Sequence, residues 1–441
     1  MTRLSLLLLS ALLAFAPAVS ARTQTTLLRD ADIEYSLRQL AKPILTAAGL
    51  NASRIRILLV DDSSLNAFIV DNSHIFIHSG LMMKLDTPAQ LQAVIAHEAA
   101  HIANGHISRR LGNLSAARNA AALGTLLGVM AGAAARDGRA GLAIAAGSSN
   151  SAMRLFLSHT RAEEASADIS SARYLRRAGV DLNGAVEVMR IFRGQELLRE
   201  NRQDPYVRTH PLSRDRLRAL EGLAASQPAA KPDPAAQYWF ARARGKLTGF
   251  QRAPNWTLRR AGNAYSQDIG FMRQAAAYHR QSNRQKAVAS IDRAIALRPR
   301  DPFYLELKGQ ILLESRQFDA AVQVYRQAAS LAPREPLILG GLGRAYLAAG
   351  NPREALKALE AARGRDFSDA RVLRDLSVAY ARTGQNAMAS VVTAERYALQ
   401  GRLKDAEVHA RRALGQLPRG SGPWQRAQDV LGAAERAARR R

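Results

Sequence analysis

The sequence predicts two joined folds, an α+β domain followed by an all-α solenoid of stacked helix pairs. Three observations predict this. Short β-branched runs are confined to residues 54–78, helix-period patterns with capping signals follow them, and residue columns recur every 34 positions from Ala275 onward. The chain has 441 residues, enough for two or three domains, and 47% hydrophobic residues to fill their cores.

Residues 1–21 read as an export signal. Arg3 supplies the positive charge, Leu4 to Phe15 is an apolar run short of the roughly 20 residues of a bilayer span, and Val19-Ser20-Ala21 offers small residues for cleavage near Ala21. The expectation is an exported soluble protein, periplasmic in a two-membrane bacterium.

The first folded domain is expected over 22–223. Thr26 to Leu50 is helix-like with a Gly49 stop. Strand-like runs follow at Arg54–Val60, Asn66–Val70 and His74–His78, and the turn Asp71-Asn72-Ser73 joins the last two as a hairpin. A helix then starts at Thr87 with Pro88 in its first turn and Gln90 completing a capping box; its apolar pattern runs through Ile107 towards a stop at Gly112. Residues 120–135 and 141–147 are small and apolar on either side of Arg136-Asp137-Gly138-Arg139. They read as a helical hairpin whose arms are too short to cross a bilayer, and they leave peripheral membrane contact open. Further helices are expected at 153–177, 183–200 and 213–223, and the Pro/Ala-rich stretch 224–236 reads as a linker.

The second domain is expected over 237–441. Asp301, Glu335 and Asp369 are 34 residues apart, the tetratricopeptide period, and small residues (Ala275, Gly309, Gly343, Ser377) and large ones (Tyr278, Leu312, Tyr346, Tyr380) keep the same register. Alanine columns at Ala287, Ala321, Ala355, Ala389 and at Ala294, Ala328, Ala362 let the paired helices approach closely. Such arrays dock protein partners on an extended surface.

The formal net charge is +26, but the basic residues are scattered rather than massed and no nucleic-acid motif accompanies them, so nucleic acid is not an expected partner. With no cysteine, the chain can build neither disulfides nor a thiolate metal site.

The chemistry is concentrated in His97-Glu98-Ala99-Ala100-His101. Residues i and i+4 share a helix face, so two imidazoles can grip one zinc ion while Glu98 takes a proton from the attacking water. A catalytic zinc needs a third protein ligand and an open position. Glu164 and Asp168 lie four apart in a second helical segment; Glu164 can bind the metal and Asp168 can orient a ligating histidine. Glu163 lies about 100° away around that helix and is the weaker choice.

The two helices together, HExxH and then Thr160-Arg161-x-x-Glu164-x-x-Ala167-Asp168, resemble the HtpX-like gluzincin metallopeptidases. Asn66-Ala67-Phe68 and Thr209-His210-Pro211 with Arg216 are similar to that family as well, whereas Val70-Asp71-Asn72-Ser73 stands where the family has glycines. The resemblance implies a zincin-like metalloprotease domain at 22–223 holding one zinc ion per chain, with His97, His101 and Glu164 as ligands and Glu98 as general base. It places His210 near the metal, either capping it in a latent state or stabilising the oxyanion, and gives Arg216 a bracing role in the same loop. With the export signal and the repeats added, the resemblance implies an envelope endopeptidase that degrades misfolded or stalled outer-membrane proteins, assists their assembly, and docks protein substrates and assembly machinery through the repeats. The alternative is a chaperone or scaffold with a latent protease domain. The strand His74-Ile75-Phe76-Ile77-His78 is expected to accept substrate peptide at a sheet edge, with His74 and His78 in the cleft or at the surface and no metal role for either. His106 and His159 are expected to be structural.

Overall fold

The computed structural model describes residues 26–109, 160–199, 202–228 and 230–439. The export signal at 1–21, the apolar hairpin at 120–147 and His159 lie outside the described residues.

The sheet is small and of mixed direction. Strands β1 (Leu27–Leu28), β2 (Arg56–Val60), β3 (Ala67–Ile69) and β4 (His74–His78) lie in the order β1-β2-β4-β3. The expected hairpin forms, with β3 antiparallel to β4, but β2 pairs parallel to the other side of β4. All five residues of β4 are buried. This corrects the expectation for His74, Ile75, Phe76, Ile77 and His78: both edges of that strand already carry ladder hydrogen bonds, so it cannot receive a substrate strand. The end strand is β3. His74 and His78 are likewise buried rather than exposed, His74 Nδ1 resting 2.8 Å from Asp71 and His78 Nδ1 3.0 Å from Ser64 Oγ.

Leu27 and Leu28 do not begin a helix, because they pair with Val60 and Leu59 at the sheet margin. Helix α1 (Ala31–Ala47) starts only after Asp30, whose side chain accepts from Ile33 N. Helix α2 (Ser79–Lys84) follows β4 directly. Helix α3 (Pro88–Ala103) has the Thr87/Gln90 capping box and is buried along nearly its whole length. It ends earlier than its apolar pattern implies, since Gly105 adopts φ +69° and turns the chain back. Helix α4 (Arg161–Arg177) starts at Thr160, again with a capping box, and Glu163 is spent on that cap. Helices α5 (Asn183–Ile191), α6 (Pro205–Thr209) and α7 (Arg214–Ala225) complete the domain. The helix expected over 183–200 stops short because Gly194 takes a left-handed conformation. The short helix α6 carries no periodic signal in the sequence.

Helix α8 (Pro234–Gln251) begins inside the expected linker, capped by Asp233. Beyond α9 (Pro254–Ala261), helix pairs stack from Gln267 to Ala438. The 34-residue columns are packing positions: Ala287, Ala294, Ala321, Ala328, Ala355 and Ala362 are all fully buried. A Cβ on Gly343 would sit 2.4 Å from Leu359 Cγ, so only glycine fits this close approach.

The repeats close onto the first domain through α1. The acids of the 34-residue column, which stand at the N-cap positions of successive repeats, each meet a cation: Asp301 pairs with Arg242, Glu335 with Arg38, and Asp369 with Arg29. Arg242 is fully buried, with its Nε 2.6 Å from Asp32 of α1. Tyr35 of α1 packs between Trp239 and Phe303 at ring distances of 5.3 and 4.8 Å. Buried charges of this kind tolerate little displacement, because loss of one partner strands the other away from water.

Candidate active site

Helix α3 presents His97, Glu98 and His101 from one buried stretch, and α4 crosses it carrying Glu164 and Asp168. The His97 and His101 Nε2 atoms are 3.1 Å apart. Glu164 Oε2 lies 3.3 Å from His97 Nε2, and Glu164 Oε1 lies 3.2 Å from His101 Nε2. Metal bonds of 2.0–2.2 Å at tetrahedral angles would separate neighbouring ligand atoms by about 3.4 Å; the three separations are of that order, with the two carboxylate contacts ending on different oxygens of Glu164. His210 joins the group, and the four ligand atoms lie within 4.8 Å of one another.

Each histidine is held from behind. His97 Nδ1 sits 3.2 Å from Asp168 Oδ1. Arg216 fixes Asp168 with two hydrogen bonds and also reaches Glu164 Oε2 at 2.7 Å and the carbonyl of Pro211 at 2.7 Å. One guanidinium thus spans ligand helix, orienting carboxylate and the loop of His210. His101 Nδ1 meets His106 Nδ1 at 2.8 Å.

The electrostatics are those of a cation site. Despite burial, Glu164 and Asp168 raise His97 to about 10. Burial, then the charge of His97 and His210, holds His101 down to about 3. The neighbouring His210 and His97 overcome burial to keep the Glu164 carboxyl well below its usual range. Burial pushes the Glu98 carboxyl up, and neither of its oxygens makes a hydrogen bond among the described residues. Donor set, edge lengths and the two unbonded oxygens of Glu98 all fit a divalent metal with a water beside Glu98.

His210 is completely buried. Its Nδ1 is 3.0 Å from Glu164 Oε1, and its Nε2 is 3.5 Å from Glu98 and 3.3 Å from the carbonyl of Ala67 on β3. Tyr206 stacks on the imidazole at 4.4 Å and on Phe192 at 4.7 Å. The segment from Tyr206 to His210 therefore lies between the ligand cluster and the end strand, tied there also by Tyr206 N donating to Leu65 O. A large open cleft of about 1000 Å³ lies elsewhere, among Phe250, His279, Arg284 and Glu314 in the repeats.

The structure brings together His97, Glu98, His101, Glu164, Asp168, His210 and Arg216, and leaves the β4 residues out of the cluster as strand core. Sequence reading overlooked Tyr206 and gave His106 only a structural place. The histidine five residues beyond the HExxH motif was the available signal, but its position depends on the turn at Gly105.

Both parts of the chain are similar to known proteins. Residues 28–224 match the model of peptidase family M48, and residues 312–376 match the tetratricopeptide repeat model. A protein of Escherichia coli named beta-barrel assembly-enhancing protease is 25% identical over 411 residues, covering 91% of this chain and 82% of its own length. A protein of Yersinia pestis with the same name is 24% identical, covering 90% and 83%. Among solved structures, a MamA fragment from Desulfovibrio magneticus covers 37% of this chain and 94% of its own, at 19% identity and a TM-score of 0.32.

Proposed function

Taking the chain as a family M48 metallopeptidase domain joined to tetratricopeptide repeats, we propose that it is a zinc-dependent endopeptidase of the bacterial periplasm acting on outer-membrane proteins whose assembly has stalled. The convergence of His97, His101 and Glu164 to edges of 3.1–3.3 Å carries this reading. The relatives' name supplies the substrate class, and the N-terminal signal pattern supplies the compartment.

His97, His101 and Glu164 would hold the zinc, which when bound polarises a peptide carbonyl and acidifies water. The remaining chemistry belongs to the chain. Glu98, buried and raised by that burial, is poised to accept a proton from water and return it to the leaving amine. Asp168 and Arg216 hold His97 and Glu164 in register. His210 occupies the space beside Glu164 and Glu98 that an entering substrate needs. The conformation is therefore a latent one, in which the segment from Tyr206 to His210 must move before a peptide reaches the site. Once it moves, β3 is the strand edge along which substrate backbone can align.

The latency favours one second reading, in which the repeats act mainly as a chaperone or scaffold and cleavage is occasional. Metal analysis and digestion of an unfolded protein such as casein, with the purified full chain beside Glu98→Gln and His210→Ala, test both. The expected result is one zinc per chain, slow cleavage by the parent, faster cleavage by His210→Ala and none by Glu98→Gln. Equal support of outer-membrane assembly in cells by parent and Glu98→Gln chains would establish the scaffold reading instead.

A further inference from the structure

His106 lies outside the metal-binding motif, yet it is buried against the back of His101. We infer that His106 is a positioning residue that fixes the tautomer and aim of His101 through a hydrogen-bond chain ending on the backbone of α4. The inference rests on the zinc reading of the site and concerns only this chain's own side chains.

The contacts among the described residues fit one arrangement of protons for a metal-bound His101. The two Nδ1 atoms are 2.8 Å apart and can share a single hydrogen. A histidine that gives its Nε2 lone pair to a metal carries its proton on Nδ1. His101 therefore donates, and His106 accepts through Nδ1. That places the remaining proton of neutral His106 on Nε2, which faces Ser166 Oγ at 3.2 Å. Ser166 accepts there and its own hydroxyl donates to the carbonyl of Glu163 at 3.0 Å. Each donor meets one acceptor.

The local fold supports the same assignment. Gly105 at φ +69° reverses the chain after α3, so His106 returns beneath the helix instead of following its axis outward. Asn104 anchors the turn: its Nδ2 donates to the Ser166 carbonyl at 3.4 Å, and its Oδ1 accepts from Ser170 at 3.2 Å. The two ligand-bearing helices are thus joined through Asn104, His106 and Ser166 on one side, as Asp168 and Arg216 join them on the other. His97 receives a carboxylate behind it and His101 an imidazole. A neutral acceptor adds no further negative charge to a cluster that already contains Glu98, Glu164 and Asp168.

The test is zinc affinity, measured on the full chain by competition with a chromogenic chelator, with far-ultraviolet circular dichroism as the folding control. His106→Leu removes the acceptor and is expected to weaken zinc binding about 10- to 100-fold, the usual range for loss of such a partner. His106→Asn restores an acceptor oxygen near the Nδ1 position and is expected to recover most of that loss. Equal affinity of parent and Leu chains would overturn the inference, as would an Asn chain as weak as the Leu chain, since shape alone would then explain the residue. If the Leu chain does not fold, the Asn chain decides: affinity near the parent's supports the relay, and a loss of about tenfold or more overturns it. A parent chain that binds no zinc overturns the metal reading and this inference together. A zinc-binding parent beside an equally tight Leu variant overturns this inference alone.

Discussion

Arg216 holds Asp168 in a two-point grip, Nε to Oδ2 at 2.6 Å and Nη2 to Oδ1 at 2.9 Å, with both side chains buried. The fork matters as much as the charge, because the same guanidinium also reaches Glu164 and the carbonyl of Pro211. Lysine cannot make these contacts together. Arg216→Lys is therefore expected to lower unfolding free energy by about 2–4 kcal/mol in urea titrations and to loosen zinc binding. A variant as stable as the parent would remove Arg216 from the framework of the site.

Glu98 contributes no ligand edge to the cluster, so its role separates from metal binding. Glu98→Gln is expected to keep stoichiometric zinc while cleavage falls by about two to four orders of magnitude, the range for loss of a general base. Metal analysis of the purified variant beside its digestion rate checks both halves.

In the latent reading His210 blocks the site from the end of a short helix, held by Tyr206 stacked at 4.4 Å. Tyr206→Ala removes that clamp without touching a ligand atom, and its cleavage of casein is expected to exceed the parent's. A slower Tyr206→Ala enzyme, together with a slower His210→Ala enzyme, would assign the imidazole to the transition state instead of to latency.

Where α1 meets the repeats, two fully buried cations are shared among four acids, of which Asp32 is itself buried. Asp30, Asp32, Asp301 and Glu306 surround Lys246 and Arg242. Burial raises Glu306 from its ordinary 4.5 to about 7, so over that interval the folded protein keeps a proton that the unfolded chain has released. Its stabilising contribution is complete below about pH 4.5 and is lost as pH rises through 7. Glu306→Gln imitates the protonated group at every pH. It is expected to be more stable than the parent at pH 8, by on the order of 1–3 kcal/mol, with the difference closing at pH 4. Thermal unfolding at both pH values measures it.

Gly343 and Gly364 give a paired test of the repeat packing. A Cβ at Gly343 would meet Leu359 at 2.4 Å, whereas Gly364 faces open space. Gly343→Ala is expected to cost about 1–3 kcal/mol, and Gly364→Ala to leave stability unchanged or slightly raised.

The sequence by itself determined the elements whose causes are local. Thr87 with Gln90 fixes one helix start, and the i, i+4 spacing puts His97 beside His101 on one face. The 34-residue columns determined the solenoid, because each Ala or Gly in them answers to the same close approach in every repeat. Only the tertiary structure decided what depends on residues far apart in the chain. A parallel partner, β2, turned β4 from an expected edge into a central strand, which no pattern within His74–His78 reveals. The turn at Gly105 decided that His106 reaches His101, and a short helix without periodicity decided that Tyr206 and His210 reach the ligand cluster. The physical reason is common to these cases. Capping and helical periodicity act over about four residues and leave a local mark, whereas strand order and burial are settled by contacts between segments that the chain keeps apart until it folds.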